Sequence, residues 1–245
     1  MPPSKLRQSV RPHDAAGLVL IRDGRRGPEV LMGRRHAGHS FMPSVFVFPG
    51  GRLDLADRQP SGFAETLAAP PPGTDQATRR RLASFARAAL RETFEETGLL
   101  LGEPLPRLDR TAALQPSQPV WRAFAAAGLA PGFAALRLVA RAITPRHSPR
   151  RFHSRFFLAD GAAARVVLGG RLGGSGELDD LGWFPVAEVP RLPLPEEVTE
   201  LVLAEALAHR AAARHARHGS GPARQVALFR WVGSGERSRH RADPR

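Results

Sequence analysis

Apolar positions along this chain repeat with two periods. Ala15–Arg22 is a short apolar run and reads as a strand. Asp23-Gly24 opens a turn and Val30–Met32 returns, which predicts a hairpin with a longer loop. Gly33–Ser44 reads as a loop rich in Arg, His and Gly, and Val45–Phe48 as a short buried strand ended by Pro49. Four prolines make Gln59–Gly73 a surface loop. The period then changes. Leu82, Phe85, Ala86, Ala89, Leu90 and Phe94 recur at i, i+3, i+4, i+7, i+8 and i+12, one face of a helix. Thr74 or Asp75 is placed to cap its start and Gly98 to end it in a left-handed turn.

Downstream, Gly102–Gln118 reads as a loop and Val120–Ala127 as a helix broken at Gly128 and Pro131. Leu136–Ile143 and Phe152–Leu158 read as strands. Gly169–Gly176 is a Gly-rich turn; no helix follows it directly, which argues against a phosphate cradle. Leu181–Val186 reads as a late strand. Pro195–Arg210 reads as a helix, with Pro195 near its first turn and Glu196 and Glu197 suited to the dipole. Beyond His209, nine arginines face only Glu236 and Asp243; Gln225–Val232 adds one strand, and Gly233–Arg245 is expected to be unstructured.

The end of the long helix carries the candidate chemistry. Glu92, Glu95 and Glu96 stand at i, i+3 and i+4, within one arc of roughly 100°. Like charges at that spacing repel, and the helix C-terminus disfavours negative charge. A divalent cation removes both penalties, since hard ions take oxygen ligands and are often shared between carboxylates and phosphates. The glutamate arc lies beside the apolar stripe, so the carboxylates are expected at the rim of the core. Without a cation, the same pattern is a solvated acidic face.

Composition narrows the classes. The 245 residues hold 36 Lys or Arg against 23 Asp or Glu, a net charge of +13, and Lys5 is the sole lysine. That balance matches a GC-rich coding bias, or attraction to phosphate-bearing partners such as a polyanionic substrate or nucleic acid. The absence of cysteine excludes disulfides and thiolate metal sites. No apolar run reaches the roughly 18 residues of a membrane span. Met1–Pro12 is a basic, polar segment without the apolar stretch of a secretory signal, and the final Ala-Asp-Pro-Arg is not a peroxisomal address. A cytoplasmic location is the expectation.

The helix joins a second stretch, Phe48-Pro49-Gly50-Gly51-Arg52-Leu53-Asp54-Leu55-Ala56-Asp57. Together they resemble the Nudix box, G-x5-E-x7-R-E-U-x-E-E-x-G-U, with U a bulky apolar residue. Gly51 matches the opening glycine; Arg91, Glu92, Glu95, Glu96, Gly98 and Leu99 match the second half. Asp57 stands where the family has Glu, and Thr93 where it has an apolar residue. Between Asp57 and Arg91 lie 33 residues in place of seven. A box split by such an insertion resembles the branch of peroxisomal coenzyme A diphosphatases. The resemblance implies an α/β/α sandwich with a mixed sheet over residues 13–208, an insertion at about 58–83, and an Arg-rich tail over 209–245.

It also implies a metal-dependent hydrolase, using Mg²⁺ or Mn²⁺, that cleaves the pyrophosphate of nucleoside diphosphate-linked compounds. Glu92 and Glu96 would be metal ligands, and Glu95 would complete the shell or act as base. Gly50 would offer a backbone carbonyl, and Arg91 would orient a glutamate by a bidentate pair. Glu177 is a further candidate ligand or base. Asp54 and Asp57 rank lower, since each can simply end a turn. Coenzyme A or an acyl derivative is the favoured substrate; Arg34, Arg35 and His36 before the glycines, or Arg146, Arg150 and Arg151 before a strand, are candidate phosphate contacts, with Arg34, Arg35 and Arg151 foremost. Arg35 fits one arginine of the branch's coenzyme A signature; Ser40 and Ser44 replace a second arginine and a glycine. The alternatives are an ADP-ribose or NADH pyrophosphatase, and a non-catalytic nucleotide sensor that uses its basic tail on nucleic acid.

Overall fold

The structure is a computed structural model, and it describes residues 10–67, 74–105, 118–146, 148–166, 170–195, 198–216, 225–232 and 236–241. Glu196, Glu197, most of the 102–118 segment, the end of the proline-rich loop and parts of the tail lie outside the described residues.

The first hairpin is formed by β1 (His13–Gly24) and β2 (Gly27–Arg35). Its pairing continues to Gly24 opposite Gly27, so the loop is only Arg25–Arg26, shorter than the sequence suggested. Two short strands follow, β3 (Phe46–Val47) against β2 and β4 (Gly50–Arg52) against β1. The inserted segment runs into the first turns of α1 (Gln76–Thr97). The Asp75 carboxylate accepts the Thr78 N–H at 2.7 Å at its start. Gly98 closes it at φ 72°, returning its N–H to the Phe94 carbonyl at 2.8 Å. Next come β5 (Leu99–Pro104), α2 (Pro119–Ala126), β6 (Leu129–Pro131), β7 (Arg137–Ile143) and β8 (Phe152–Asp160). The chain then forms β9 (Ala164–Val166), β10 (Leu178–Pro185), α3 (Val198–Ala216), β11 (Ala227–Val232) and β12 (Glu236–Arg241).

The main sheet runs β10-β2-β1-β8-β7-β11-β12, with β3 and β4 appended. It is mixed: β1 lies parallel to β8 and β7 parallel to β11, while the other neighbours are antiparallel. β6, β5 and β9 make a separate small sheet. Strand β1 explains the layering. Leu18 and Leu20 join Phe85, Ala89 and Leu90 of α1 on one face; Val19 and Ile21 join Val202, Leu203 and Ala206 of α3 on the other. The result is the α/β/α sandwich with a mixed sheet that the resemblance implies.

The C-terminal part departs from expectation in two ways. The boundary expected at 208 falls inside α3, which runs to Ala216 with His209 buried on its inner face. Arg210 and Arg214 pair with Asp23 near its C-terminus, where cations are favoured. Beyond it, Val226, Ala227 and Phe229 are core residues and β11 joins the main sheet as the strand read over 225–232, but β12 pairs with it inside the stretch expected to be unstructured. The open edge of β11 gives β12 its partner.

Candidate active site

The box helix delivers the glutamates to one wall of a cavity of about 500 Å³. Glu92, Glu95 and Glu96 line it from α1, together with Gly50 and Gly51, and Glu177 closes the wall from the loop before β10. Glu96 is only 6 % exposed, whereas the Glu95 side chain remains 43 % exposed. The arc read from the sequence is therefore graded from sheltered to open.

Close backbone approach fixes the two glycines. A Cβ at Gly51 would overlap the Glu92 carboxylate, and one at Gly50 would overlap the Ala16 carbonyl on β1. The Gly50 N–H donates to Glu96 Oε2 at 2.8 Å. The phenylalanine-proline-glycine-glycine stretch thus abuts the carboxylates through its backbone.

Arg91 is the hub beneath them. Its Nε and Nη2 donate to the Asp57 carboxylate at 3.0 and 2.9 Å. Its Nη1 reaches Glu92 at 2.9 Å and Glu95 at 2.8 Å, and Nη2 also meets the Arg52 carbonyl at 3.1 Å. Burial opposes its charge, but the hydrogen bonds and charge of Asp57 and the two glutamates hold its pKa above the ordinary value. Asp57 is fully buried, which its weak ranking as a turn residue did not anticipate. The signal was present: Asp57 follows Gly51 by the box spacing.

The carboxylates facing the cavity are poorly neutralised. Burial raises the Glu92 pKa to about 7, with Glu95 and Glu177 adding to the rise and Arg91 opposing it. Burial raises Glu96 to about 8; the Gly50 amide pulls it down, and Glu92 and Glu177 push it up. Such crowding of hard oxygen donors suits a divalent cation in chemical kind. Among the described residues, no three acidic or histidine side chains form a ready ligand cage: Glu92 and Glu95 turn onto Arg91, and Glu96 onto the Gly50 amide.

Glu177 is brought to the site by an unexpected use of the glycine-rich turn. Gly173 N–H donates to the Thr97 carbonyl at 3.0 Å and Ser175 N–H to the Glu95 carbonyl at 2.6 Å. The turn caps the C-terminus of α1, so those two amides are spent on helix carbonyls rather than on a phosphate.

The cavity lining sorts the arginine candidates. Arg35 lines the cavity, donating to the Phe41 carbonyl at 2.9 Å; burial lowers its pKa while the charge of Glu96 opposes that. Arg34, its neighbour on β2, points away and pairs with Asp180 at 2.7 Å, outside the cavity lining. Arg151 is also outside: it is buried and donates to the Thr144 and Val10 carbonyls at 3.1 and 2.7 Å. Arg150 lines the cavity in its place, bonded to Ser40 Oγ at 2.6 Å. Phe41 and Phe152 stand edge to face beside them, with ring centroids 5.3 Å apart.

The fold has a counterpart in a solved structure. The crystal structure of a NUDIX hydrolase from Alicyclobacillus acidocaldarius is 30% identical, matches 81% of this chain and 92% of that one, and superposes with a TM-score of 0.57. The chain belongs to the Nudix hydrolase family. It is also 35% identical over 148 residues to the acyl-coenzyme A diphosphatase NUDT19 of Gallus gallus. That match covers 47% of this chain but only 39% of the relative's length. No protein-family model matches the chain. No helix among the described residues is long and apolar enough to cross a membrane.

Proposed function

We propose that this Nudix hydrolase cleaves the pyrophosphate of a nucleoside diphosphate-linked compound in a divalent-metal-dependent reaction, with coenzyme A or an acyl derivative as the favoured substrate. The observation that carries the reading is that two sheltered carboxylates, Glu92 and Glu96, line one cavity together with Arg35 and Arg150.

Glu92 and Glu96 would hold the metal, with Glu95, Glu177 and the Gly50 carbonyl available to complete its shell. When bound, Mg²⁺ or Mn²⁺ supplies charge neutralisation for the diphosphate and acidifies its water. Arg91 keeps Glu92 and Glu95 in register from below. Arg35 and Arg150 bind phosphate oxygens, which planar guanidinium donors suit. Phe41 and Phe152 border the space left for a base. Water adds to one phosphorus, the bridging P–O bond breaks, and two phosphorylated products leave. Glu95 or Glu177, both in the cavity lining, would take the proton. The acyl-coenzyme A diphosphatase relative supports the substrate choice, together with two cavity arginines beyond those needed beneath the carboxylates.

The test is release of phosphorylated products with Mg²⁺ or Mn²⁺ from coenzyme A, acetyl coenzyme A, ADP-ribose, NADH and a capped RNA. Preference for the coenzyme A compounds, yielding 3′,5′-ADP, supports the full reading. Preference for another compound retains the metal chemistry and removes the substrate assignment. No turnover with metal bound removes catalysis and favours a nucleotide sensor.

A further inference from the structure

The insertion within the box is tied to the helix through a second buried arginine. Arg87 stands one turn before Arg91 on α1 and is 4 % exposed. It interrupts the apolar stripe between Ala86 and Ala88. Its Nη1 pairs with the Glu65 carboxylate, its Nη2 donates to Ser84 Oγ at 3.2 Å, and its Nε donates to the Asp57 carbonyl at 2.7 Å. Glu65 belongs to the inserted segment. Its other oxygen accepts the Ser61 N–H at 2.7 Å, while Phe63 and Leu67 on either side pack against the core. The insertion is thus folded onto the helix at this point.

What lies on the other side of Asp57 gives this contact its meaning. The Asp57 backbone is held by Arg87 and its carboxylate holds Arg91, which in turn sets Glu92 and Glu95. Asp57 Oδ2 also accepts the Asp54 N–H at 2.9 Å, and the Gln118 amide caps the adjacent Ala56 carbonyl at 2.9 Å. A continuous series of hydrogen bonds therefore runs from Glu65 through Arg87, Asp57 and Arg91 to the carboxylates on the cavity wall.

We propose that Arg87 is a positioning residue for the metal-binding carboxylates, and that the insertion acts on the site by supplying Glu65 as its counter-ion. The inference rests on the metal-dependent hydrolase reading above. Its physical logic is competition. With Glu65 in place, Arg87 is neutralised and spends only its Nε on the Asp57 backbone. Without Glu65, a buried guanidinium loses its carboxylate, and the next one along the network is that of Asp57. Arg87 then draws on the carboxylate that orders Arg91, and Glu92 and Glu95 lose their fixed partner.

The experiment compares full-length Glu65→Gln, Arg87→Met and Arg87→Lys with wild type, and uses Glu29→Gln as a control that breaks the remote pair with Arg22. Mn²⁺ binding is measured without substrate at a temperature where circular dichroism shows each variant folded. Turnover is measured on the substrate wild type prefers. The expected result is a loss of about 10- to 100-fold in Mn²⁺ affinity or kcat for Glu65→Gln and Arg87→Met, the range for groups that orient ligands. KM changes little, Arg87→Lys recovers part of the loss, and Glu29→Gln shifts only thermal stability. Wild-type Mn²⁺ affinity and kcat in Glu65→Gln and Arg87→Met, with only a lower melting temperature, overturn the proposal. If Arg87→Met does not fold, the near-isosteric Glu65→Gln decides. Wild type that binds Mn²⁺ but turns over nothing defeats the hydrolase reading alone, since the binding comparison still decides the positioning role. Wild type that binds no Mn²⁺ defeats both.

Discussion

Along α1, two groups of buried charge lie within about two and a half turns of each other and are neutralised differently. On the insertion side, Arg87 and Arg91 meet Glu65 and Asp57 in close pairs, with further oxygens from Ser84 and from the Arg52 and Asp57 carbonyls. On the cavity side, Glu92, Glu96 and Glu177 crowd together, and burial lifts the first two well above the ordinary carboxylate range. The first group is a finished structural unit. In the second, burial and crowding disfavour ionisation unless something outside the chain supplies positive charge, and that difference separates scaffold from site more sharply than burial does.

The largest effect is expected at Glu96. Glu96→Gln keeps the shape and the place beside the Gly50 amide but removes a donor oxygen with its charge. Metal-dependent turnover should fall by more than the roughly 100-fold expected for a mere orienting group. The folded state should persist, as read by circular dichroism. Retained activity in a folded variant would remove Glu96 from the ligand set. Asp57→Ala comes next, and it breaks the comparison from the other side. It removes the carboxylate from Nε and Nη2 of Arg91, leaving Glu92 and Glu95 as its counter-ions, and should cost about 1–3 kcal/mol in denaturant unfolding. A loss under about 1 kcal/mol would mean that the pair behaves like a surface ion pair.

Legibility in the sequence followed the same division. The α1 stripe, its Asp75 cap and its Gly98 stop were readable, because each depends on neighbours within one or two turns. The glutamate arc was readable for the same reason. Asp57 was undervalued because its partner lies 34 residues away, and a short acid next to a turn has an ordinary local explanation. Arg87 had a faint signal as a charge inside an apolar stripe, but Glu65, its counter-ion, sits in a loop with no periodicity. Within the cluster of Arg146, Arg150 and Arg151, the choice of Arg151 over Arg150 turned on which of two adjacent residues faces the cavity, and that depends on how the loop meets β8. β11 was readable as a strand over 225–232, but β12 needed the free edge of β11, a partner that only the fold supplies.

The pH dependence of stability should expose the unneutralised side directly. Glu92 and Glu96 have folded-state values of about 7 and about 8, against an ordinary 4.5. A raised carboxyl favours folding in its protonated form. The contribution is therefore full below about pH 4.5 and lost as pH rises through about 7 and 8. In chelator, the melting temperature should fall across that window. Mg²⁺ should reduce the fall by stabilising the ionised form, and Glu96→Gln should flatten it. His153 works in the opposite sense on the acid side: burial, with Arg155 and Arg141, lowers it from 6.5 to about 4. Its contribution is present above 6.5 and is lost as pH falls toward 4. A chelator-treated protein whose melting temperature rises between about pH 5 and about pH 8 would contradict the assignment of unneutralised charge to the cavity.

The finest test uses two neighbours on one strand. Side chains on β2 alternate between faces, so Arg35 enters the cavity while Arg34 turns to Asp180 on β10. Arg35→Ala removes a charge-assisted contact of about 1.5–3 kcal/mol from a bound phosphate, so KM should rise by roughly tenfold or more with kcat less affected. Arg34→Ala removes an exposed pair, for which about 0–1 kcal/mol of stability and an unchanged KM are expected. Equal KM effects at the two positions would show that the arginines act through the general field of a strongly basic protein, since a diffuse field does not distinguish adjacent residues. A difference confined to Arg35 would mean that phosphate is bound by a placed guanidinium, and that the net charge of +13 plays no specific part in choosing the substrate.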